Sequence, residues 1–346
     1  EDIAKYVGVT RAAVSKWEKG LSYPDITLLP KLATFFNTSI DTLLGYEPQM
    51  TKEQIEKLYM EFAQKFATLP FEDVIKQLEQ VKNEYYSCYP LLLKLVQLYI
   101  NYSKSTEQRE EVLQSAFDLA ERVRMHAPQI QLVQEATVMQ SLIHLMRGNA
   151  EAVLELLGIE PDLDYGVEQI IITAHTMLGN IELAKEIAQI SMFQKLFSFI
   201  SLSIESLLLH LDRPLFFKQT VERIEVILNE YNIPALQPNA AFLFYFKAAT
   251  GYMMLQQHEK AIAMLEKYVE SCEKCVFPIS LKGDEYFYLF DNWIHRQGQV
   301  MTQAPRDEQS IKNDLVREIE SNPVFAPLHE EEVFQQLLNK LKRILQ

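Results

Sequence analysis

The sequence is poor in glycine, proline and cysteine. Its 346 residues include 10 glycines, 14 prolines and 3 cysteines. So few cysteines exclude a small disulfide-stapled scaffold, and so little glycine and proline excludes collagen-like and low-complexity chains. Hydrophobic residues make up 48% and charged residues 23% of the chain, which is the balance of a globular protein.

Long uncharged hydrophobic runs are also lacking. The two most apolar stretches, 192–211 and 240–255, are interrupted by charged residues, among them Lys195, Glu205 and Lys247. A membrane-spanning helix needs about 20 predominantly apolar residues, so neither stretch is predicted to span. No secretory signal is visible, although the sequence begins at a glutamate. We therefore expect a cytoplasmic protein with no membrane partner.

The charge is strongly acidic but unevenly distributed. The chain carries 33 Lys and Arg against 47 Asp and Glu, a formal net charge of -14, which taken alone argues against a basic nucleic-acid-binding surface. Residues 1–50 hold five basic and six acidic side chains, so nearly all of the excess lies in residues 51–346. The acidic composition therefore describes the larger part of the chain and not its beginning.

Helical periodicity dominates the sequence. Apolar residues recur three and four positions apart, and alternating strand patterns are absent, which predicts an all-α fold. Thr51 and Gln54 have the spacing of a capping box for a helix to residue 67, and Ser105 and Gln108 repeat it before residues 110–126. Further helix breaks are expected at glycines and prolines, which include Gly148, Gly179, Pro234, Pro278 and Pro305.

The spacing of these breaks suggests antiparallel helix pairs. Residues 245–269 are the best candidate, because Ala249 and Ala261 are small residues that would let the two helices approach closely. Looser pairs flank Gly148 and Gly179. These segments resemble degenerate tetratricopeptide repeats, and an irregular helical bundle is the alternative.

A turn joins two short helices at the beginning of the chain. Residues 2–8 are predicted to form a helix that Gly8 ends, and Thr10 is the expected cap of a second helix that ends at Gly20. This order is typical of a helix-turn-helix.

The second helix has an apolar inner face and a polar outer face. Val14 and Trp17 lie three residues apart and are expected in the core. The outer face then carries Arg11, Ala12, Ser15, Lys16 and Lys19. Small and basic side chains suit a helix in the major groove, because Arg and Lys donate to guanine edges and small residues approach thymine methyl groups.

Two further helices are predicted at 25–36 and 39–45. Thr27 is the expected cap of the first, which would place Pro30 in its first turn at no cost in hydrogen bonds. Together, the cap, turn, tryptophan, Pro24-Asp25 and the terminal Leu43-Leu44-Gly45 resemble the lambda-repressor/Cro or XRE family of DNA-binding domains. That family has five helices, and the first is expected to be absent from this chain.

The resemblance implies individual roles. Thr10 and nearby amides would contact phosphate, Arg11, Ala12 and Lys16 would face base edges, Ser15 would lie at the margin, and Lys19 would contact phosphate. Lys5 and Lys31 are possible phosphate contacts, with ordinary surface roles as the alternative.

The expected organisation is a DNA-binding domain at 1–46, a linker at 47–52 and a helical-repeat region for sensing and dimerisation at 53–346. This architecture is similar to the Rgg, PlcR, PrgX and NprR group of peptide-sensing bacterial regulators. The resemblance implies a homodimer on a near-palindromic double-stranded DNA operator and a peptide or protein ligand in the helical region. The alternative is a protein-interaction scaffold that its DNA-binding domain only localises.

Other chemical signals are weak. Cys272 and Cys275 form a lone CxxC with neither the four ligands of a structural zinc site nor the βαβ context of a redox motif. An acidic and histidine-containing group is better explained as the exposed side of one helix; it comprises Asp284, Glu285, Asp291 and His295. The aromatic residues of 242–246 favour core packing over a ligand pocket. We expect no cofactor, no metal and no enzymatic activity.

Overall fold

The fold is known from a computed structural model that describes residues 2–46, 49–161, 163–297 and 308–346. Within these residues every regular element is helical and no strand occurs, which confirms the all-α prediction. The linker residues Glu47 and Pro48 and the expected break at Pro305 lie outside the described residues. The α-helices, in chain order, are α1 (Asp2–Val7), α2 (Arg11–Glu18), α3 (Leu29–Phe35), α4 (Ile40–Leu44), α5 (Lys52–Thr68), α6 (Phe71–Glu84), α7 (Tyr89–Tyr102), α8 (Arg109–His126), α9 (Ile130–Met146), α10 (Ala150–Leu157), α11 (Val167–Met177), α12 (Ile181–Leu209), α13 (Pro214–Glu230), α14 (Ile233–Leu236), α15 (Pro238–Met254), α16 (His258–Lys274), α17 (Phe290–Gln297), α18 (Glu308–Glu320) and α19 (Glu332–Leu345).

Helices α1 to α4 form a small unit with a small core. Its buried apolar side chains, among the described residues, are Ala4, Val7, Val14, Leu32 and Ala33. None of them belongs to either of the two larger clusters of buried side chains in the rest of the chain. So few buried side chains give the unit little apolar burial of its own.

The start of α3 differs from the prediction. Thr27 is not the cap; instead Asp25 caps a 3-10 turn at Ile26–Leu28 and accepts a hydrogen bond from the Thr27 amide at 2.9 Å. Helix α3 begins only at Leu29, with Pro30 in its first turn. A carboxylate two residues before an amide closes such a turn more readily than a threonine hydroxyl, and proline at a helix start sacrifices no intrahelical hydrogen bond.

The helical region buries its apolar residues in two clusters. The first joins α5 to α9, centred on α7, whose Leu92, Val96 and Leu98 are fully buried. The second joins α12 to α19. Helices α10 and α11, between the two, contribute no buried residue.

Antiparallel helix pairs occur where glycine or turn residues were expected to create them. Helices α15 and α16 pack together through Ala249 and Ala261, both fully buried, as the prediction for 245–269 required. Gly148 and Gly179 adopt left-handed φ values of 73° and 77° between α9 and α10 and between α11 and α12. The tetratricopeptide character of these pairs stays a prediction.

The predicted capping box at Thr51 and Gln54 is present before α5. The starts of α8 and α17 differ from the prediction. The capping box predicted before α8 is not formed, because α8 begins at Arg109, with Gln108 at its N-cap position and no side-chain cap. The aromatic segment 284–297 is helical only from Phe290.

Helix α12 is the longest helix among the described residues, at 29 residues. Of the described helices, it is the one whose length and composition would allow it to cross a membrane, and 33% of its most apolar stretch is buried within the fold. Core helices of water-soluble proteins pass the same test. Most of its buried side chains, which include Phe193, Ile200 and Ile204, belong to the second core cluster.

Candidate nucleic-acid interface

A tight turn sets the direction of α2 relative to α1. Gly8 has a φ of +81°, and the amides of Gly8 and Val9 both donate to the Ala4 carbonyl, at 3.1 and 3.0 Å. The left-handed conformation favours glycine because a side chain there would be strained. The Thr10 hydroxyl then accepts a hydrogen bond from the Ala13 amide at 3.2 Å, which starts α2 at the predicted cap.

The inner face of α2 rests on one well-buried residue. Val14 is 8% exposed and packs in the small core, as expected. Trp17 is only half-buried, so part of its ring remains at the surface instead of completing the core. The Tyr6 and Phe35 rings lie 5.2 Å apart and link α1 to α3.

A second glycine ends α2. Gly20 has a φ of +66°; its amide donates to the Trp17 carbonyl at 3.0 Å, and the Leu21 amide donates to the Lys16 carbonyl at 2.9 Å. This is a Schellman-type end, which satisfies carbonyls that the helix cannot. It leaves Lys19 exposed at the end of the helix.

The structure brings the predicted interface residues together on α2 and its two caps. Of the six, Ser15 is half-buried. The exposed ones are Thr10, Arg11, Ala12, Lys16 and Lys19. Glu18 is the one acidic side chain in the 10–19 segment, so the segment is locally basic in an acidic chain.

Comparison with known proteins identifies this unit. Residues 1–43 match the Helix-turn-helix family HTH_3. Residues 1–43 are a helix-turn-helix domain. The chain is also 39% identical, over 56 residues, to the HTH-type transcriptional activator BcrR of Enterococcus faecalis. That match covers 16% of this chain and 28% of BcrR, so the chain spans well under a third of this relative. No solved structure matches the chain significantly.

The segment that follows the helix-turn-helix domain is tied to the helical region by three hydrogen bonds. The Gln49 side chain donates to the Ser87 carbonyl at 3.1 Å, and the Met50 amide donates to the Cys88 sulfur at 3.5 Å. The Lys52 ammonium donates to the carbonyl of Arg296, on α17, at 3.1 Å. No sequence pattern indicated this last contact, which joins residues 244 positions apart.

The two CxxC cysteines and Asp284 of the acidic group are part of the local packing of the chain. Cys272 and Cys275 are free thiols, and burial raises the pKa of Cys275 to about 11 and that of Cys272 further. The Asp284 carboxylate accepts from the amides of Tyr286 and Phe287, at 2.9 and 2.8 Å, and so shapes the turn before α17. Within the described residues, no group of three or more His, Cys, Asp or Glu could hold a metal ion.

An open cavity of about 800 Å³ lies between α12 and α17, and sequence reasoning missed it. The aromatic run at 242–246 does not line it; Phe242, Phe244 and Tyr245 are buried in the second core cluster. A signal was present in Gln194, Ser198 and Ser201, which place neutral polar groups at helical spacing in a largely apolar stretch.

Proposed function

We propose that the protein is a sequence-specific DNA-binding transcriptional regulator that inserts α2 into the major groove. The observation that carries the proposal is the exposure of Arg11, Ala12 and Lys16 on one small, locally basic helix of a helix-turn-helix domain. BcrR is named a transcriptional activator; we extend to this chain only a regulatory role and leave its sign to experiment.

Each predicted residue has a chemical role in this proposal. Arg11 and Lys16 donate to base edges, and Ala12 allows close approach to a thymine methyl group. Lys19 neutralises a phosphate. Thr10 accepts from the Ala13 amide with its oxygen, which leaves its hydroxyl hydrogen available for a phosphate oxygen. Ser15, half-buried, lies at the margin of the contact.

The regulator acts as a homodimer on a near-palindromic operator. One recognition helix contacts too few bases for high specificity, and a two-fold dimer places two of them about 34 Å apart. Ten large apolar side chains at 154–178 are at least 41% exposed and offer on the order of 1,000 Å², enough for a standard interface of about 800 Å² per partner. We assign this surface, on and between α10 and α11, to the second copy.

The oligomeric state tests that assignment. Ile170→Lys with Met177→Lys places two charges on exposed side chains of α11, 67% and 83% exposed, so the monomer should fold normally. Size-exclusion chromatography with light scattering should then report a monomer. Leu215→Lys, at a side chain 68% exposed on α13, is the control and should stay dimeric. Equal behaviour of both variants would contradict the assignment.

On the same proposal, the helical region senses a ligand. The protein is also proposed to work in the cytoplasm. A two-state arrangement of the region that changes the spacing of the recognition helices would change operator affinity. The rival role, a scaffold that its DNA-binding domain only localises, predicts that DNA affinity is independent of any ligand.

Selection of genomic fragments by the full chain tests DNA reading directly. Enrichment of one sequence with two-fold symmetry is expected. Arg11→Ala and Lys16→Ala should each abolish the enrichment while the circular dichroism spectrum stays unchanged. Lys218→Ala, at an exposed position of α13 in the helical region, is the control. If both α2 variants select the same sequence as the wild type, the recognition face lies elsewhere.

A further inference from the structure

The open cavity between α12 and α17 combines an aromatic wall with neutral polar groups. Phe193 of α12 stacks on Phe290 of α17 with ring centroids 3.9 Å apart, and Phe197 and Trp293 extend this aromatic surface. Its volume of about 800 Å³ falls within the range of about 300–1,000 Å³ that is usual for small-molecule sites. The size therefore suits one drug-sized molecule.

Four polar side chains line the cavity without protein partners. Gln194, Ser198, Ser201 and Gln237 make no side-chain hydrogen bond to another described residue. Helical serines commonly donate to the carbonyl one turn back, as Ser203 does to Phe199 at 2.8 Å. The two cavity serines do not, so their hydroxyl groups and the two amides remain available to a ligand as both donors and acceptors.

Charge is missing from the lining. The side chains that line the cavity, within the described residues, include no ionisable group, although the chain as a whole carries a formal charge of -14. The nearby Lys195 is engaged with Asp164, at 2.6 Å, instead of lining the cavity. A charged ligand would lose hydration here without gaining a counter-ion, which disfavours it.

We propose that this cavity binds an uncharged, largely apolar aromatic molecule that carries hydroxyl or amide groups. The rings would pack against the half-buried Trp293, beside the buried Phe193–Phe290 pair, and the polar groups would bond to Gln194, Ser198 and Ser201. This ligand site would serve the ligand-sensing part of the proposed function. Its biological role rests on that function, whereas the binding itself is tested independently.

The two helices that line the cavity, α12 and α17, are connected through Arg296 to Lys52, which lies shortly after the helix-turn-helix domain. Gln189 of α12 donates to the Tyr286 carbonyl at 2.9 Å and accepts from the Leu289 amide at 3.0 Å, which holds the turn before α17 against α12. Arg296, at the end of α17, pairs with Glu186 of α12, and its carbonyl accepts from Lys52. A ligand that shifts α17 therefore acts on the segment directly after the DNA-binding domain.

Binding is tested with a matched pair of fluorescent probes on the full chain. N-phenyl-1-naphthylamine is neutral, and 1-anilinonaphthalene-8-sulfonate has the same ring system with one added charge. The neutral probe should bind saturably with one site per chain, and the anionic probe at least about tenfold more weakly, because its sulfonate finds no counter-ion. Equal affinity of the two probes would overturn the proposed ligand chemistry.

Two variants locate the site. Ser201→Trp fills the cavity from an exposed position of α12 and should weaken binding of the neutral probe at least about tenfold. Met192→Trp adds the same side chain to the same helix outside the lining and should leave affinity unchanged. Equal binding by both variants means that the probe occupies other apolar surface, and the proposal fails. Displacement of the probe by peptides but not by neutral aromatic compounds would also overturn it, in favour of a peptide site.

The connection to the DNA-binding domain is measured without DNA. The neutral probe should slow hydrogen exchange of the amides at 49–58 in the wild type. Lys52→Met removes the donor to Arg296 and should abolish this slowing while probe affinity changes less than about twofold. Slowing that persists in Lys52→Met would refute the connection. Because neither measurement uses an operator, failure here is separate from failure of DNA binding.

Discussion

Replacement of Lys19 by alanine separates phosphate contact from base reading. Lys19 is exposed at the end of α2, where we propose that it neutralises one phosphate of the DNA backbone. Each neutralised phosphate contributes about 0.9 to the slope of log affinity against log salt, so a two-fold dimer should lose about 1.8 from its slope and a monomer about 0.9. The affinity for every duplex should fall by a similar factor.

Arg11→Ala should behave differently. A bidentate contact with a guanine discriminates by about 1–3 kcal/mol, or about 5- to 150-fold in each half-site. The loss should appear on the selected operator and be small on a scrambled duplex. Fluorescence anisotropy between 50 and 200 mM KCl on both duplexes measures affinity and slope together.

The control is Lys218→Ala, which removes one exposed positive charge from α13, where Lys218 pairs with Glu222 at 3.5 Å. It changes the net charge as much as Lys19→Ala does, but it lies in the helical region. The reasoning is refuted if Lys218→Ala and Lys19→Ala change the slope equally, because net charge would then explain both. It is also refuted if Arg11→Ala weakens binding to both duplexes alike.

Three further outcomes concern stability and reactivity. Gly251→Ala should lower the free energy of unfolding by about 1–2 kcal/mol in denaturant titrations, because the new Cβ would lie 2.4 Å from the buried Phe217 ring. Adding Phe217→Leu to the same chain should recover part of this loss. Thr10→Ala should cost the α2 cap about 1 kcal/mol and accelerate hydrogen exchange in 11–18 without affecting α15. Burial raises the pKa of Cys275 from 9.0 to about 11, so this thiol should react with iodoacetamide about 100-fold more slowly at pH 7.5 than an unperturbed thiol. Its reaction rate should still rise about tenfold per pH unit at pH 9.5. Cys272, which is more deeply buried, should react only after unfolding.

The helix-turn-helix domain was readable from the sequence because its determinants are local. Gly8, Thr10 and Gly20 act through hydrogen bonds to residues at most five positions away, so their spacing alone predicts the turn, the cap and the helix end. The outward face of α2 follows from helical periodicity once Val14 is placed inside. The extent to which Trp17 is covered did not follow, because that depends on how neighbouring helices pack.

The helical region was readable only in its local features. Periodicity predicted helices, and small alanines predicted the α15–α16 pair, since both act over short stretches of chain. The division of the core into two clusters and the cavity between α12 and α17 depend on side chains that are far apart in sequence.

The sequence by itself determined an all-helical chain with a helix-turn-helix near its beginning. Only the tertiary structure decided that Phe193 stacks on Phe290 and that Lys52 contacts Arg296. The physical reason is that a helix specifies its own apolar face but not which distant face will cover it; many pairings bury similar area, and side-chain packing in three dimensions selects among them.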